Sequence, residues 1–190
     1  MSEPKRGRLV RDLPGGTVRQ ERGTVDDNAV RLDPDEAAEM VEALNVAHAG
    51  AFNLFYLVRK HYWSAEGAES GQVAEFLGDA YTRLREIDDS VAERITEIGG
   101  VPVSTPPEIQ EYAAVHLEAE HLYSLRGSLE GDLDAYATLA VSFREAIDTA
   151  DEIGDAASYD LLSDRLETIE EDAHTIVRYL ENDALVEVDR

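Results

Sequence analysis

The chain has 190 residues, which is long enough for one domain with a full hydrophobic core. It contains no cysteine, which excludes disulfides and thiolate metal sites. Its 41 acidic and 17 basic residues give a formal net charge of −24. No apolar run approaches the roughly 18 residues of a membrane-spanning helix, and the first residues lack the apolar segment of a secretory signal. We therefore expect a cytoplasmic protein without a membrane partner.

The charge is unusual in kind as well as in size. Only two of the basic residues are lysines, Lys5 and Lys60. An acid excess with few lysines is what we expect of a halophilic protein in molar salt, where the Debye length falls to about 3 Å and like charges are screened. The alternative is an ordinary acidic protein that binds cations or a basic partner.

Residues 1–31 differ from the rest of the chain, because they contain several glycines and show no helical period. We interpret them as a flexible basic N-terminal tail and residues 32–190 as the folded domain. Four basic side chains of the tail are candidates for phosphate contacts: Lys5, Arg6, Arg8 and Arg11. DNA is therefore a candidate partner, although molar salt and an acidic shell oppose it. A solvated tail, or one docked on its own chain, is the alternative.

The first helix is predicted to begin at Pro34, with Asp33 as its cap, and to run to about Trp63. Apolar periods predict three further long helices, over about 70–98, 122–153 and 156–180. The connection between the second and third helices should hold a short helix, from Pro106 to about Val115. This pattern predicts an all-α, ferritin-like four-helix bundle with a short helix in the crossover. A helical repeat is the alternative, but no fixed period is present.

A pair of carboxylates in the second helix is the first candidate for chemistry. Asp89 and Glu93 are four residues apart and so share one helix face. Carboxylate oxygens suit iron(II), manganese and magnesium. Because acidic pairs of this spacing are plentiful in an acidic chain, the surrounding sequence has to decide whether the pair binds metal.

That surrounding sequence resembles a known family. The carrying segments are Lys60-His61-Tyr62-Trp63, with Glu66-Gly67 behind them, and Asp89-Ser-Val-Ala-Glu93-Arg94 running into Ile98-Gly99-Gly100. They resemble the Dps proteins, which are ferritin-like proteins of starved or oxidatively stressed cells, and look most like those of halophilic archaea. The resemblance covers about residues 32–187. It implies a hollow dodecamer that binds, oxidises and stores iron.

The resemblance also implies a ligand set, which this sequence matches only in part. In the family, iron lies between the histidines of one subunit and the Asp and Glu of the next. Asp89 and Glu93 match the acidic pair, and Asp79 can serve as a third carboxylate. The two histidine positions are occupied by Tyr62 and Ala74. The ferroxidase centre is therefore expected to be degenerate, and Trp63, at the position of the family's radical trap, works only if that centre does.

Two weaker hypotheses involve the remaining histidines. His61 could replace the lost ligands only if its helix rotated, because it points about 100° away from position 62. The segments Glu118-Ala-Glu-His121 and Glu171-Asp-Ala-His174 both fit Glu-x-x-His. Two such motifs form part of an intrachain di-iron site in some bundles.

Three functions follow from these patterns. The first is a Dps-like protein that binds and stores iron and protects against oxidative stress, with ferroxidase activity if its centre works. The second is a cage that has lost the catalyst and acts as a structural or binding protein. The third is an intrachain di-iron protein.

Overall fold

The structure is a computed structural model that describes residues 15–67 and 70–181. Within these ranges the helices are α1 Pro34–Ser64, α2 Ser70–Glu97, α3 Pro106–Tyr112, α4 Leu125–Ile153 and α5 Ala156–Leu180, and there is no strand. The prediction of an all-α bundle with a short crossover helix is confirmed. In the same residues, no helix combines the length and apolarity that crossing a bilayer requires.

The four long helices form a closed bundle. Helix α1 packs against α2 and α4, α5 packs against α4 and α2, and α3 lies on the outside against α1. The predicted apolar stripe of α1 is fully buried: Met40, Leu44, Ala47, Ala51, Leu54 and Val58. Residues spaced three and four apart return to the same side of a helix, so this stripe faces the core throughout.

Helix ends follow the capping signals where a side chain or a glycine satisfies the free backbone groups. The Asp33 carboxylate accepts a hydrogen bond from the Asp35 amide at 2.9 Å, as predicted for the start of α1. The predicted start of α4 was about three residues too early, because the Ser124 hydroxyl accepts a hydrogen bond from the Gly127 amide and caps the helix there. Helix α3 is shorter than predicted, because Ala113 is already extended, with ψ of 124°.

Part of the predicted tail lies on the bundle. The Asp26 amide donates to the Gly99 carbonyl at 2.9 Å, and the Gln20 side-chain amide donates to the same oxygen at 2.8 Å. Arg22 pairs with Glu108 of α3 at 3.0 Å. Gly99 has φ of +88°, and a Cβ there would lie 2.2 Å from the Asp26 carbonyl oxygen, so only glycine allows this approach. Residues 20–26 thus follow the docked alternative. The candidate phosphate contacts lie outside the described residues: Lys5, Arg6, Arg8 and Arg11.

Polar side chains of α1 hold the crossover in place. Asn45 accepts a hydrogen bond from the Val103 amide at 2.9 Å, and a ring nitrogen of His48 lies 2.8 Å from the carbonyl of the same residue. Asn53 donates to the Val115 carbonyl at 2.8 Å. The other His48 nitrogen lies 2.6 Å from Asp88, in an ion pair without hydrogen-bond alignment. Burial alone would lower the pKa of His48, but Asp88 raises it.

Candidate functional site

The predicted iron ligands lie on the outer face of α2. Asp79, Asp89 and Glu93 are all exposed, and no ion pair within the described residues involves them. Asp89 and Glu93 are one helical turn apart and so project from the same side. The described part of the chain contains no cluster of three or more His, Cys, Asp or Glu side chains able to hold a metal ion. This face offers hard oxygen donors that one chain does not assemble into a complete site.

Tyr62 and Ala74, at the two family histidine positions, offer no nitrogen ligand to this face. The Tyr62 ring lies 5.4 Å from the ring of Tyr81, measured between centroids. It also covers Gly78, where a Cβ would lie 3.3 Å from a ring carbon. Ala74 is half-buried. The space beside α2 near these residues is therefore filled by an aromatic ring that packs against the helix backbone.

His61 points to the other side of α1, into the bundle. Its Nδ1 lies 2.9 Å from both carboxylate oxygens of Asp132 on α4, and its Nε2 lies 2.8 Å from Oε1 of Glu118 in the crossover. Lys60 pairs with the same Glu118 oxygen and donates to the Ala119 carbonyl at 3.2 Å. Because both ring nitrogens are engaged and the ring is 2% exposed, His61 is not placed to replace a ligand at Tyr62.

The two carboxylates that flank His61 differ in how burial and neighbouring charges shift their pKa values. Burial alone would lower the pKa of His61, but its bonds to Asp132 and Glu118 raise it. Asp132 is completely buried, so burial raises its pKa more than His61 lowers it. Glu118 is less buried, and Lys60 and His61 together lower its pKa despite the desolvation that opposes them. The ring therefore favours the doubly protonated form, which donates a hydrogen bond from each nitrogen.

The buried polar groups continue across the bundle. Tyr136 lies one turn after Asp132 on α4, and its hydroxyl donates to Asp172 of α5 at 3.3 Å. Asp172 also accepts a hydrogen bond from Arg83 of α2 at 2.6 Å. Burial raises the pKa of Tyr136 well above its ordinary value, and the charges of Asp172 and Asp132 add to the rise. The two groups, one around Asp132 and one around Asp172, thus draw side chains from all four long helices into the interior.

The Glu-x-x-His segments do not form an intrachain metal site. Glu118 and His121 lie in the loop before α4 instead of on a helix, and Glu118 is held by Lys60 and His61. Glu171 and His174 are exposed on α5, away from the core. The interior that a di-iron site would need is occupied by two bonded groups, His61 with Asp132 and Asp172 with Tyr136 and Arg83.

Sequence reasoning missed most of these buried polar residues. Asp132 was not among the predicted residues, although it lies at a core spacing, three residues after Leu129 and four before Tyr136. A charged residue inside an apolar stripe is the signal that could have found it. Arg94 belongs to the segment that carries the family resemblance. In the structure it joins α2 to the start of α5, where it binds Asp155 at 2.8 Å and Ser158 at 2.9 Å.

Comparison with known proteins agrees with this fold along nearly the whole chain. A sequence profile of the ferritin-like domain matches residues 41–186. The DNA protection during starvation protein of Halobacterium salinarum is 39% identical over 84% of this chain and 87% of that protein. A nutrient stress-induced DNA-binding protein of Nostoc is 31% identical over 89% of this chain and 92% of that protein.

Solved structures agree as well. An archaeal Dps homologue from Halobacterium salinarum superposes with a TM-score of 0.87 and 37% identity, covering 92% of this chain and 98% of that one. DpsC from Streptomyces coelicolor superposes with a TM-score of 0.87 and 28% identity, covering 90% of this chain and all of that one.

Proposed function

Because this chain belongs to the Dps family of ferritin-like proteins, we propose that it handles iron and protects its cell under oxidative or nutrient stress. Fe(II) is its substrate, which binds near Asp89 and Glu93, is oxidised by peroxide or dioxygen and is stored as a ferric mineral inside a hollow dodecamer. The observation that carries this proposal is the exposed pair of carboxylates on α2, which has no ion pair within the described residues. The names of its relatives, which refer to starvation and nutrient stress, support the physiological role.

The donor chemistry fits binding better than fast oxidation. Asp89, Glu93 and Asp79 offer the hard oxygens that Fe(II) accepts. No imidazole is available at Tyr62 or Ala74, and a protonated phenol is a poor ligand for Fe(II). We therefore infer a degenerate centre that binds Fe(II) loosely and oxidises it slowly.

A cage that has lost its catalyst is the second candidate function. It is favoured by the ring of Tyr62, which packs over Gly78. The test is the double variant Tyr62→His with Ala74→His, and the wild type is the control. If the centre is degenerate but otherwise intact, the assembled double variant gains Fe(II) oxidation. No gain in a properly assembled double variant means that Asp89 and Glu93 are not placed as proposed.

An intrachain di-iron site through Glu118, His121, Glu171 and His174 is disfavoured, because these residues lie in a loop and on an exposed helix face. The variant His121→Ala with His174→Ala is therefore expected to bind Fe(II) as the wild type does. Loss of all binding in that variant, with the helical content unchanged, would revive the intrachain site.

Assembly is tested separately, by light scattering at high salt. The proposal predicts a particle close to twelve times the 21.0 kDa chain mass. A stable monomer or dimer would remove the storage function, because a single bundle encloses no volume in which a mineral could grow.

DNA is a partner only at low salt in this proposal. The contacts would come from Lys5, Arg6, Arg8 and Arg11, each of which releases bound counterions when it meets a phosphate. Retention of a DNA fragment at low salt and its release in molar KCl are expected. If the DNA fragment is retained equally when all four residues are replaced by glutamine, the N-terminal tail does not have this role.

A further inference from the structure

A pocket of about 330 Å³ opens at the end of the bundle where α2 and α4 begin and α5 ends. Its lining includes Gln72, Val73, Leu125, Arg126, Arg178 and Leu180. Val73 is buried in the hydrophobic core, whereas Leu125 and Leu180 are only half-buried. The floor of the pocket is therefore an apolar edge of the core that water still reaches, and covering it is favourable.

The walls of the pocket are already fixed. The Arg126 guanidinium donates two hydrogen bonds to the Leu180 carbonyl, each at 3.2 Å, and so ties the last turn of α5 to the first turn of α4. The ring of Tyr179 packs on the ring of Phe76 from α2, with centroids 5.7 Å apart. A surface that is ordered before binding loses little conformational entropy when it is covered.

The pocket is also a positive site on an acidic protein. Arg126 and Arg178 both line it, in a chain with 41 acidic and 17 basic residues. Arg178 has no ion pair within the described residues, whereas Arg83 and Arg94 each bind a buried aspartate. A guanidinium in this situation can donate two parallel hydrogen bonds to one carboxylate.

Residues 182–190 leave α5 directly at this pocket. Leu180 is the last residue of α5 and lines the pocket, and Glu181 is already extended, with ψ of 137°. A chain spans at most about 3.3–3.6 Å per residue, so the first few residues after Glu181 can reach the far wall. The segment carries both kinds of side chain that complement the pocket. They are the carboxylates Asp183, Glu187 and Asp189 and the apolar residues Leu185, Val186 and Val188.

Two other occupants fit less well. The N-terminal segment is basic, so the arginines repel it. It also approaches the other end of the bundle, since residues 20–26 lie on Gly99, and α2 is about 36 Å long between Val73 and Glu97 at 1.5 Å per residue. A small anion such as phosphate pairs with the guanidinium groups but leaves the apolar floor in water.

We propose that residues 182–190 fold back onto the end of their own bundle and cover this pocket. Leu185 and Val186 cover the apolar floor, while carboxylates of the segment pair with Arg178 and Arg126. The segment thus closes the open edge of the core and joins the end of α5 to α2 and α4. This docking goes beyond the proposed function and holds whether or not the chain oxidises iron.

The test uses the absence of native cysteine. Gln72→Cys places a single thiol at the rim of the pocket, and its rate of labelling by a water-soluble maleimide is divided by the rate for the same variant unfolded in denaturant. We expect the docked segment to slow labelling at least about tenfold in the folded chain. Leu185→Asp with Val186→Asp should restore fast labelling, because charged side chains are not buried on an apolar floor without partners. Ala157→Cys, exposed at the other end of α5, should be labelled fast in every background.

Charge reversal tests the arginines. Arg178→Glu should speed the labelling of Gln72→Cys. The matched control is Arg19→Glu, which makes the same change at an exposed arginine without an ion pair in the described residues and should not alter the rate. Both are measured at the lowest KCl concentration at which circular dichroism shows a folded protein, because salt screens exposed charges. If Arg178→Glu does not fold, the neutral Arg178→Gln variant decides in its place.

Disulfide formation shows which chain supplies the segment. Under mild oxidation, the double variant Gln72→Cys with Ala184→Cys should form a disulfide within one chain. An equal mixture of the two single variants should form none between chains. Disulfides between chains in that mixture would assign the segment to a neighbouring copy and contradict docking on the same chain.

Three labelling results would also overturn the docking. The first is fast labelling of Gln72→Cys in the otherwise wild-type chain. The second is protection that persists unchanged in Leu185→Asp with Val186→Asp. The third is protection that Arg178→Glu removes but the two aspartates do not, which would identify a small anion as the occupant. Fe(II) binding is measured separately, so its loss would contradict only the proposed function.

Discussion

The interior of the bundle and the outer face of α2 carry the same kinds of side chain and use them in opposite ways. In the interior, four such side chains are buried, with His61 bonded to Asp132 and Tyr136 bonded to Asp172. On the outer face, Asp89 and Glu93 are exposed and have no ion pair among the described residues. The comparison shows that a polar side chain is a candidate for a functional role when its charged or hydrogen-bonding group has no partner within the described chain. The interior groups find their partners within one chain, whereas Asp89 and Glu93 leave their oxygens available to the Fe(II) that we propose they bind.

The largest expected effect comes from the interior. His61→Ala leaves fully buried Asp132 without its partner, and removing one member of a buried ion pair costs about 3–5 kcal/mol of unfolding free energy. Chemical denaturation in molar KCl measures the loss. The double variant His61→Leu with Asp132→Leu is the control, and it should recover most of the stability. A His61→Ala variant as stable as the wild type would mean that the cluster is not bonded in solution.

A smaller loss is expected in the second interior group, around Asp172. Asp172→Asn removes the charge that binds Arg83 and Tyr136 but keeps the size of the side chain. Because hydrogen bonds to charged groups contribute about 1.5–3 kcal/mol each and Arg83 is partly exposed, we expect a loss near the lower end of that range. Glu170→Gln, which affects only the exposed pair with Arg144, is the control and should change stability by less than about 1 kcal/mol. Equal losses in the two variants would erase the distinction between interior and surface pairs.

The pH dependence of stability should also come from the interior. The pKa values of His48 and His61 are raised in the folded protein because of Asp88 and Asp132. Their contribution is therefore fully present below the ordinary histidine pKa of about 6.5 and is lost as the pH rises through the raised values. Unfolding free energy measured at several pH values from 6 upward should fall over this window. The fall should be shallower in His61→Gln, and an identical slope in that variant would contradict the assignment.

The outer face should behave in the opposite way. Asp89→Asn with Glu93→Gln removes two exposed charges and should change the unfolding free energy by no more than about 0.5 kcal/mol. The same variant should lose Fe(II) binding, which titration under anaerobic conditions measures. Asp160→Asn, at an exposed carboxylate on α5, is the matched control and should retain binding. A large loss of stability in the double variant would show that these carboxylates serve the fold.

The sequence predicted the helices well because local signals carry them. The Asp33 cap and the apolar stripe from Met40 to Val58 act within one helix, and both are confirmed. The bond between His61 and Asp132 joins residues 71 positions apart, and no local period encodes such a pairing. The predicted α3 was too long for a related reason, since tertiary contacts between the crossover and α1 decide where the chain becomes extended. The degenerate ligand set at Tyr62 and Ala74 stays a prediction from the resemblance.

Anaerobic Fe(II) titration of the purified protein in molar KCl, followed by a peroxide pulse with absorbance read in the near ultraviolet, tests the central claim most directly. The proposal predicts saturable Fe(II) binding that disappears in Asp89→Asn with Glu93→Gln, and oxidation that speeds up when Tyr62→His and Ala74→His restore the imidazoles. Wild-type protein that shows no saturable binding, or binding that survives loss of both carboxylates, would contradict it.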